Sequence, residues 1–325
     1  MWLISDVPVE NDLEAFIKHW VSQESAIDFP SNMQCTGVFY KIGKLILTFG
    51  NNVKNQQNLI VVIALSNNAI FQRDNEYLAI EKLAEVPELR KYLTSRVQKY
   101  VFAGFCCYIM QQTEGVTVDI PNKSLSLMTN NANDVIIELA KYTRSERTKR
   151  EDFVKLIQGY IANIVKRIPS SSKQMASIEN YLTISLESTN FSSVCLHGDS
   201  KLENFVLSKE FDVVGIIDWE LCELKSFPLL DLIYMITYNY QTTYGVEFNN
   251  IFRRIWESKL DSFNAGLIDN YCSQMRITME EKKLLLIVFF IHHYGKRFLL
   301  REDRKQALRL FKSSITMLIK FIAGK

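Results

Sequence analysis

Residues 194–218 read VCLHGDSKLENFVLSKEFDVVGIID, and the prediction of the fold starts from them. Asp199 closes the tripeptide HGD, Asn204 follows five residues later, and an apolar, strand-like run then ends at Asp218. Phosphoryl transfer needs one carboxylate close to the attacking hydroxyl, and further oxygen ligands that hold Mg²⁺ against the nucleotide phosphates. The spacing therefore predicts a phosphoryl-transfer site, in which a short loop and a neighbouring strand end bring the three side chains together.

Each side chain in this stretch suits one role. We expect Asp199 to act as a base that orients an acceptor hydroxyl, mainly by positioning it, because the transition state is loose. Asn204 offers a neutral carbonyl oxygen and Asp218 an anionic one, and both are hard ligands suited to Mg²⁺. His197 is expected to brace the catalytic loop by hydrogen bonding. The tripeptide alone is more often a surface turn, but the complete pattern HGDxxxxN-strand-strand-IIDWE is much rarer by chance.

Three runs, HGDSKLEN, GIIDWE and SFPLLDL, together resemble the aminoglycoside phosphotransferase and choline kinase superfamily of small-molecule kinases. The resemblance implies an α+β, bilobal protein-kinase-like fold with a small β-sheet N-lobe and a mostly helical C-lobe. It implies Asp199 as the catalytic base, with Asn204 and Asp218 as Mg²⁺ ligands. It further implies Asp231 as a structural acid that steadies the catalytic loop. The rest of the chain matches by layout rather than by identity.

Composition is that of an ordinary folded protein. The chain has 325 residues, of which 47% are hydrophobic and 23% charged, which suits two lobes and leaves no room for a large disordered region. The formal net charge of +2 requires no polyanion, so we expect no nucleic-acid partner. The mixed-sign clusters Arg144–Glu151 and Lys296–Arg309 are interpreted as solvated helix faces.

The chain shows no targeting or membrane-spanning pattern. Its N-terminus lacks a basic region followed by a long apolar run, and the most apolar window, Leu284–Ile291, has only eight residues and is typical of a buried helix. The six cysteines lie mostly in apolar runs without CxxC spacing, which is typical of buried thiols. We therefore expect a cytoplasmic protein without a membrane span, whose oligomeric state the sequence does not predict.

Residues 1–112 are predicted to form a nucleotide-binding lobe with an N-terminal helix. After a helix at Val9–Glu24, a hairpin is predicted from strands Val38–Ile42 and Leu45–Phe49, joined at Gly43-Lys44. The further predicted elements are a helix at Phe71–Ala84 and strands at Leu59–Leu65, Val97–Phe102 and Phe105–Gln112. The loop before the last strand begins with Gly50, Asn51 and Asn52. A polar hairpin loop is the default interpretation, whereas the resemblance implies a flap over the phosphates, weakened because it has a single glycine.

One expected residue is missing. The resemblance implies a lysine at the end of the strand after the flap, where it contacts the α- and β-phosphates, but that position falls at Ile63 or Ala64. The partner glutamate is kept as Glu76, which belongs either to the nucleotide site or to a solvated helix face. Three lysines could reach the phosphates instead: Lys41, Lys44 and Lys54. The loss would remove a charge-assisted contact of about 1.5–3 kcal/mol, so weak affinity, a different nucleotide pose or lost activity are all consistent with it.

The strand-like run FCCYIMQQ, residues 105–112, ends in two glutamines. In a two-lobed kinase this is the hinge, where backbone groups near Met110 and Gln112 would bind the adenine edge. A strand that simply leaves the sheet would look the same. We place the domain boundary here, with residues 113–325 forming a helical C-terminal lobe that carries the catalytic loop and the acceptor site.

After Asp218 the apolar spacing predicts four helices, at Leu229–Tyr244, Phe248–Phe263, Thr278–Leu300 and Asp303–Ala323. Such helices commonly build the acceptor pocket in this superfamily. The tyrosines there are more often core than a cation cage, and no acidic cluster stands out, so neither a quaternary ammonium nor an aminoglycoside acceptor is favoured. His292 and His293 would point about 100° apart on a helix, so they are predicted to pack rather than to chelate one ion.

Two functions from different classes fit these observations. The first is an ATP- and Mg²⁺-dependent phosphotransferase acting on a hydroxyl of a small molecule, such as a sugar, an amino alcohol or an antibiotic. The second is a catalytically silent kinase-fold protein that binds a nucleotide or a partner as a scaffold. The missing lysine favours the scaffold. The first is preferred, because a silent protein need not keep Asp199, Asn204 and Asp218 together.

Overall fold

The computed structural model describes residues 34–41, 43–50, 58–93, 97–102, 104–117, 124–145, 148–300 and 304–323. The predicted N-terminal helix lies outside these ranges, as do Asn51, Asn52 and Lys54. The chain divides into two compact units, one made of residues 1–81 and 94–114 and the other of residues 82–93 and 115–325. The boundary after residue 112 stays a prediction.

The first unit contains a five-stranded antiparallel sheet with strand order β1-β2-β3-β5-β4. The strands are β1 (Gln34–Lys41), β2 (Lys44–Gly50), β3 (Leu59–Ala64), β4 (Gln98–Phe102) and β5 (Phe105–Gln111). The predicted hairpin is confirmed, since β1 and β2 pair as far as Lys41 opposite Lys44. Gly43 closes the turn with φ of +73°, a backbone region that favours glycine.

The two faces of this sheet have different partners. On one face, Leu47, Val61 and Ile109 belong to a buried apolar cluster. The opposite face meets helix α1, Asn67–Leu83, because the Tyr108 hydroxyl of β5 donates to Asp74 Oδ1 of that helix at 2.8 Å. Since strand residues alternate between faces, the residues in register with Tyr108 point to the α1 side as well.

The second unit is mostly helical. Its helices are α2 (Leu125–Tyr142), α3 (Arg150–Arg167), α4 (Ser172–Ser185), α5 (Leu230–Tyr244), α6 (Phe248–Trp256), α7 (Ser262–Met275), α8 (Met279–Leu300) and α9 (Arg304–Ile322). Four short strands form two antiparallel pairs, β6 (Val194–Leu196) with β9 (Glu223–Ser226), and β7 (Phe205–Leu207) with β8 (Val213–Ile216). An antiparallel N-terminal sheet followed by a mostly helical C-terminal part confirms the predicted α+β, kinase-like fold class.

One helix prediction was wrong. The apolar spacing predicts a single helix over Phe248–Phe263, but α6 ends at Trp256 and a separate helix begins at Ser262. The chain leaves the helical region at Ser258, where φ is +55°. Asp261 then caps α7, because its side chain accepts a hydrogen bond from the backbone N–H of Asn264 at 3.0 Å.

Helix α8 lies at the centre of the second unit. All eight residues of Leu284–Ile291 are at most 4% exposed, which confirms the predicted buried helix. Gly295 lets α8 approach α3 closely, since a Cβ there would lie 2.9 Å from the Cβ of Tyr160. In the described part of the chain, no helix combines the length and the apolar character needed to cross a membrane.

Candidate active site

The loop after β6 has a tightly specified backbone. Gly198 has φ of +83°, and a Cβ there would lie 2.1 Å from the carbonyl oxygen of Leu221, so only glycine fits. The buried carboxylate of Asp231, at the start of α5, accepts hydrogen bonds from the backbone N–H groups of His197 at 2.6 Å and Gly198 at 3.0 Å. Asp231 thus lies where a residue that steadies this loop is required.

His197 is enclosed by the loop and the neighbouring strand end. Its side chain is buried, and its Nε2 lies 2.9 Å from the carbonyl oxygen of Ile217. Its Nδ1 accepts the backbone N–H of Asp199 at 3.2 Å. This pattern places the ring proton on Nε2, donating to Ile217. The contacts agree with the bracing role that the sequence predicts for His197.

Asp199 is held by three donors. The Tyr234 hydroxyl donates to Oδ1 at 2.7 Å, the Lys201 ammonium lies 3.1 Å from Oδ2, and the Asn204 side-chain Nδ2 lies 3.2 Å from Oδ2. Burial by itself would raise the pKa of Asp199, but Tyr234 and Lys201 hold it below its ordinary value. The carboxylate is therefore ionised and fixed in orientation.

Asn204 and Asp218 are brought together by the β7–β8 pair. The backbone N–H of Ile217 donates to the carbonyl oxygen of Asn204 at 2.9 Å, and Phe205 pairs with Ile216. Asp218 follows directly, with φ of 68° and ψ of 51°, a left-handed conformation that is uncommon for a residue with a side chain. Such outliers persist when surrounding structure holds them, and they cluster at functional sites.

The donor set suits Mg²⁺. Asn204 Nδ2 also donates to the backbone carbonyl of Asp199 at 2.8 Å, so Oδ1 is the atom of this amide that could hold a cation. Together with the Asp218 carboxylate this offers two hard oxygen ligands. No group of three or more His, Cys, Asp or Glu side chains within the described ranges could hold a metal ion. Mg²⁺ is usually bound by one or two protein groups, with waters and substrate phosphates completing its shell.

A cavity of about 360 Å³ opens beside Asp199. It is lined by loop residues and by side chains of α5 and α8: Gly198, Asp199, Lys201, Leu221, Tyr234, Thr237, Tyr238, Gln241, His292, His293 and Lys296. The rings of Tyr234 and Tyr238 stack with centroids 6.2 Å apart, and the Tyr238 hydroxyl donates to Glu203 at 3.0 Å. The stacked tyrosines lie one helical turn apart, so they form one wall of the cavity.

A buried carboxylate lies behind this cavity. Glu223 is 2.8 Å from the Lys296 ammonium and 3.3 Å from the His292 ring, and it accepts the Tyr160 hydroxyl at 2.6 Å. Burial alone would raise the pKa of Glu223, but Lys296 and His292 hold it well below its ordinary range. Lys296 also donates to the carbonyl oxygen of Leu221 at 2.7 Å, so this cluster anchors the segment after Asp218.

The histidine pair points two ways, as predicted. His292 faces Glu223, whereas His293 stacks on Phe248 with ring centroids 4.1 Å apart and 9° between planes. Both also line the cavity, a role that the sequence did not suggest. The sequence likewise missed Tyr234. Its position three residues after Asp231 puts the two side chains on one face of α5, and this spacing could have indicated it.

The predicted flap and hinge residues of the first unit lie near one end of its sheet. Gly50, at the end of β2, pairs with Gln34, and the loop it opens reaches Asn58, whose carbonyl oxygen accepts the Gln112 backbone N–H at 2.8 Å. Met110 is buried and pairs with Ile60 of β3. The predicted flap and the predicted hinge therefore begin at the same end of the sheet.

Glu76 is not solvated, so that alternative was wrong. It is 4% exposed and forms an ion pair with Arg73, one turn earlier on α1. The helix thus supplies its own cation for a glutamate that was expected to pair with a strand lysine. The sequence contains this i, i+3 pair, but its burial depends on how α1 packs on the sheet.

Comparison with known proteins finds a matching family model and several similar solved structures. Residues 136–265 match the model of a family described as the phosphotransferase enzyme family. A search of curated proteins finds no match. Among solved structures, the fold is similar to a thermostable mutant of aminoglycoside phosphotransferase APH(4)-Ia in a ternary complex with AMP-PNP and hygromycin B, at TM-score 0.63 and 10% identity over 95% of this chain and 99% of that one.

Two further structures are similar. ADP-bound aminoglycoside phosphotransferase APH(2'')-Ib matches at TM-score 0.51 and 11% identity, over 93% of this chain and 96% of that one. Choline kinase LicA from Streptococcus pneumoniae matches at TM-score 0.51 and 15% identity, over 97% of this chain and all of that one, 100%. At such identities these likenesses speak for the fold alone.

Proposed function

We propose that this chain is an ATP- and Mg²⁺-dependent kinase of the aminoglycoside phosphotransferase and choline kinase superfamily. It transfers the γ-phosphoryl group to a hydroxyl of a small molecule. One observation carries the proposal: Asp199 is ionised and fixed by three donors, and its neighbour Asn204 is bonded to the strand end that presents Asp218. Phosphoryl transfer requires a base close to metal ligands, and here one loop and one strand end supply a base and two such ligands.

Asp199 works mainly by orientation. Because its pKa is held below the ordinary value, it is a weak base, and it accepts a hydrogen bond from the acceptor hydroxyl more readily than a proton. In a loose transition state the proton is lost late, so correct alignment of the hydroxyl contributes most of the rate. Bound Mg²⁺ would neutralise charge on the phosphates, and Asn204 Oδ1 with the Asp218 carboxylate would hold it.

The acceptor is proposed to be a small hydroxylated molecule, such as a sugar or an amino alcohol. The cavity of about 360 Å³ offers aromatic faces from Tyr234 and Tyr238 and polar groups from Thr237 and Gln241. Of the described residues that line it, Asp199 alone carries a carboxylate, and Lys201 offsets its charge. A polycationic acceptor would therefore meet little attraction there.

A cytoplasmic location is part of the proposal. The described cysteines form no disulfide, and Cys195 and Cys222 are a hydrogen-bonded thiol pair with sulfur atoms 3.5 Å apart. Buried, reduced thiols in such proximity suit a reducing compartment.

The experiment compares the wild type with two variants, Asp199→Ala and Glu210→Ala. Glu210 is an exposed acid in the turn between β7 and β8, so its loss removes the same charge away from the site. We expect ATP with Mg²⁺ to raise the unfolding temperature of all three proteins. ATP turnover should be measurable for the wild type and Glu210→Ala, and should be lost for Asp199→Ala.

The silent scaffold is the competing function, favoured by the absence of a lysine at Ile63 and Ala64. A panel of hydroxylated metabolites and aminoglycosides is screened for ATP-dependent mass gain. Nucleotide binding without any such mass gain would support the scaffold over the enzyme. No binding at millimolar ATP would exclude the kinase altogether.

A further inference from the structure

The cavity beside Asp199 has two walls of different chemistry. Helix α5 contributes four neutral residues, whereas α8 contributes three residues that are all basic in type, namely His292, His293 and Lys296. His292 and Lys296 lie four residues apart, so they share one face of the helix. A ligand in this cavity therefore meets basic groups on the α8 side, and neutral polar or aromatic groups on the α5 side.

Lys296 presents its ammonium to the cavity. The side chain is 16% exposed, and it forms part of the cavity wall. Its Nζ lies 2.8 Å from Glu223 Oε1 and donates to the carbonyl oxygen of Leu221 at 2.7 Å. An ammonium has three N–H donors, and within the described residues these two contacts occupy two of them. The third donor is therefore available to a ligand that enters the cavity.

Glu223 holds this ammonium from outside the cavity lining. Its Oε2 accepts the hydroxyls of Tyr160 and Ser226, each at 2.6 Å. Its Oε1 lies 2.8 Å from the Lys296 ammonium and 3.3 Å from the His292 ring. Four groups thus share the negative charge of Glu223, and a fully bonded buried network of this kind is rigid. Because Lys296 is fixed before a ligand arrives, binding costs less entropy.

The charges around the cavity favour an anionic ligand group. Of the described residues that line it, Asp199 alone carries a carboxylate, and the Lys201 ammonium lies 3.1 Å from that carboxylate. A cationic group on the acceptor would face Lys296 with like charge. A neutral group would form an ordinary hydrogen bond, whereas a carboxylate would form a charge-assisted one, which is about twice as strong. Asp199 repels a phosphate dianion more strongly than a monoanionic carboxylate, so the carboxylate is the better match.

Lys296 and Asp199 are close enough to contact one small molecule. A Cβ on Gly198 would lie 2.9 Å from Lys296 Nζ, so the ammonium lies beside the residue that precedes Asp199. Consecutive Cα atoms are about 3.8 Å apart. An acceptor whose hydroxyl contacts Asp199 therefore brings a carboxylate within reach of Lys296 when a short carbon chain joins the two groups.

We propose that the acceptor is a hydroxylated carboxylic acid, whose carboxylate binds Lys296 while its hydroxyl contacts Asp199. The inference rests on the proposed kinase function, and it narrows the small hydroxylated molecule to an acid, such as a sugar acid or a hydroxy amino acid. The hydroxyl oxygen forms a bond to the γ-phosphorus of ATP as the bond to ADP breaks, and the hydroxyl proton passes to Asp199 late in the step. The carboxylate of the acceptor is unchanged.

The test compares acids with the alcohols in which CH₂OH replaces the carboxylate. The added probes are glycerate with glycerol, 4-hydroxybutyrate with 1,4-butanediol, and gluconate with sorbitol. When these join the panel screened for ATP-dependent mass gain, we expect the phosphorylated acceptors to carry a carboxylate. For the acid that reacts best, kcat/KM should be about 10- to 150-fold higher than for its matched alcohol, because the alcohol lacks the charge-assisted contact.

Variants assign the preference to Lys296. In Lys296→Met, KM for the best acid should rise about 10- to 150-fold, while KM for ATP and kcat/KM for the matched alcohol stay within about twofold. Lys296→Arg, which keeps the charge, should recover most of the preference. The matched control is Lys282→Met on the same helix, because Lys282 is 15% exposed, pairs with Asp269 at 3.0 Å and lies outside the cavity lining. It should keep the wild-type preference for the acid.

Three results would overturn this inference while the kinase function stands. They are phosphorylated acceptors without a carboxylate, a preference for the acid that persists in Lys296→Met, and an equal loss for acid and alcohol, which indicates a merely structural lysine. If Lys296→Met does not fold, the wild type decides: the best acid without its hydroxyl, such as butyrate for 4-hydroxybutyrate, should compete with the acceptor more strongly than 1-butanol, and equal inhibition refutes the contact. No phosphorylation across the whole panel overturns the proposed function itself, and this inference with it.

Discussion

Replacing Tyr234 by phenylalanine removes the shortest of the three contacts to the Asp199 side chain. The phenol donates at 2.7 Å, whereas Lys201 and Asn204 lie 3.1 and 3.2 Å away. The ring remains, so its stacking on Tyr238 is kept and the lost hydroxyl is the only change. We expect slower turnover, because Asp199 then has one restraint fewer and its ionised form is less well stabilised.

The magnitude follows from the contact. A hydrogen bond to a charged group contributes about 1.5–3 kcal/mol. The Asp199 side chain is 18% exposed, so water replaces part of the lost hydrogen bond. A net loss of about 1–2 kcal/mol corresponds to a roughly 5- to 30-fold fall in kcat/KM. Since Tyr234 helps to hold the pKa of Asp199 down, its loss raises that pKa. Asp199 must be ionised to accept the hydroxyl, so the acid limb of the pH profile moves to higher pH.

The assay is the pH dependence of kcat/KM for ATP turnover, with Tyr238→Phe as the matched control. Tyr238 lies one turn further along α5 and donates to Glu203. Its variant can alter KM through the cavity wall, but we expect its acid limb to coincide with that of the wild type. Superimposable acid limbs for Tyr234→Phe and the wild type would refute the role of Tyr234 in holding Asp199.

Three further predictions test the surrounding structure. Gly198→Ala should lower the free energy of unfolding by about 2–5 kcal/mol, because the new Cβ lies 2.1 Å from a carbonyl oxygen and φ is +83°. The control Gly159→Ala lies on α3 with open space around it, so it should raise the free energy of unfolding by up to about 1 kcal/mol. Equal urea midpoints for the two variants would contradict this prediction. Glu223→Gln should destabilise by about 3–5 kcal/mol at pH 7, since Lys296 loses its buried anion. Because the pKa of Glu223 is lower in the native state than its unfolded-state value of about 4.3, its ionisation stabilises the fold at pH values above about 4.3. This stabilisation is lost as the pH falls through the native pKa. The free energy of unfolding of the wild type should therefore fall more steeply below about pH 5 than that of the variant. Asp218→Ala should keep the thermal shift produced by ATP alone but lose the increment from Mg²⁺, and an unchanged increment would rule out Asp218 as a ligand.

Local patterns in the chain predicted the parts of the site that neighbouring residues build. Asp199 and Asn204 are five residues apart in one loop, and Asp218 arrives through the short β7–β8 hairpin. Such contacts need only a turn and a strand pair, so residue spacing is enough to foresee them. The individual strands of the first unit and the buried window of α8 followed from apolar runs and the turns between them in the same way.

Contacts between distant segments escaped that reasoning. Tyr234 meets Asp199 across 35 residues, and Lys296 meets Glu223 across 73, as their positions in the chain show. Whether a lysine such as Lys44 is buried or solvated depends on which strand it faces and which helix covers it. The residue type alone determines which hydrogen bonds a side chain can donate or accept. Its partner is selected by the packing of helices and strands, which depends on the whole chain at once.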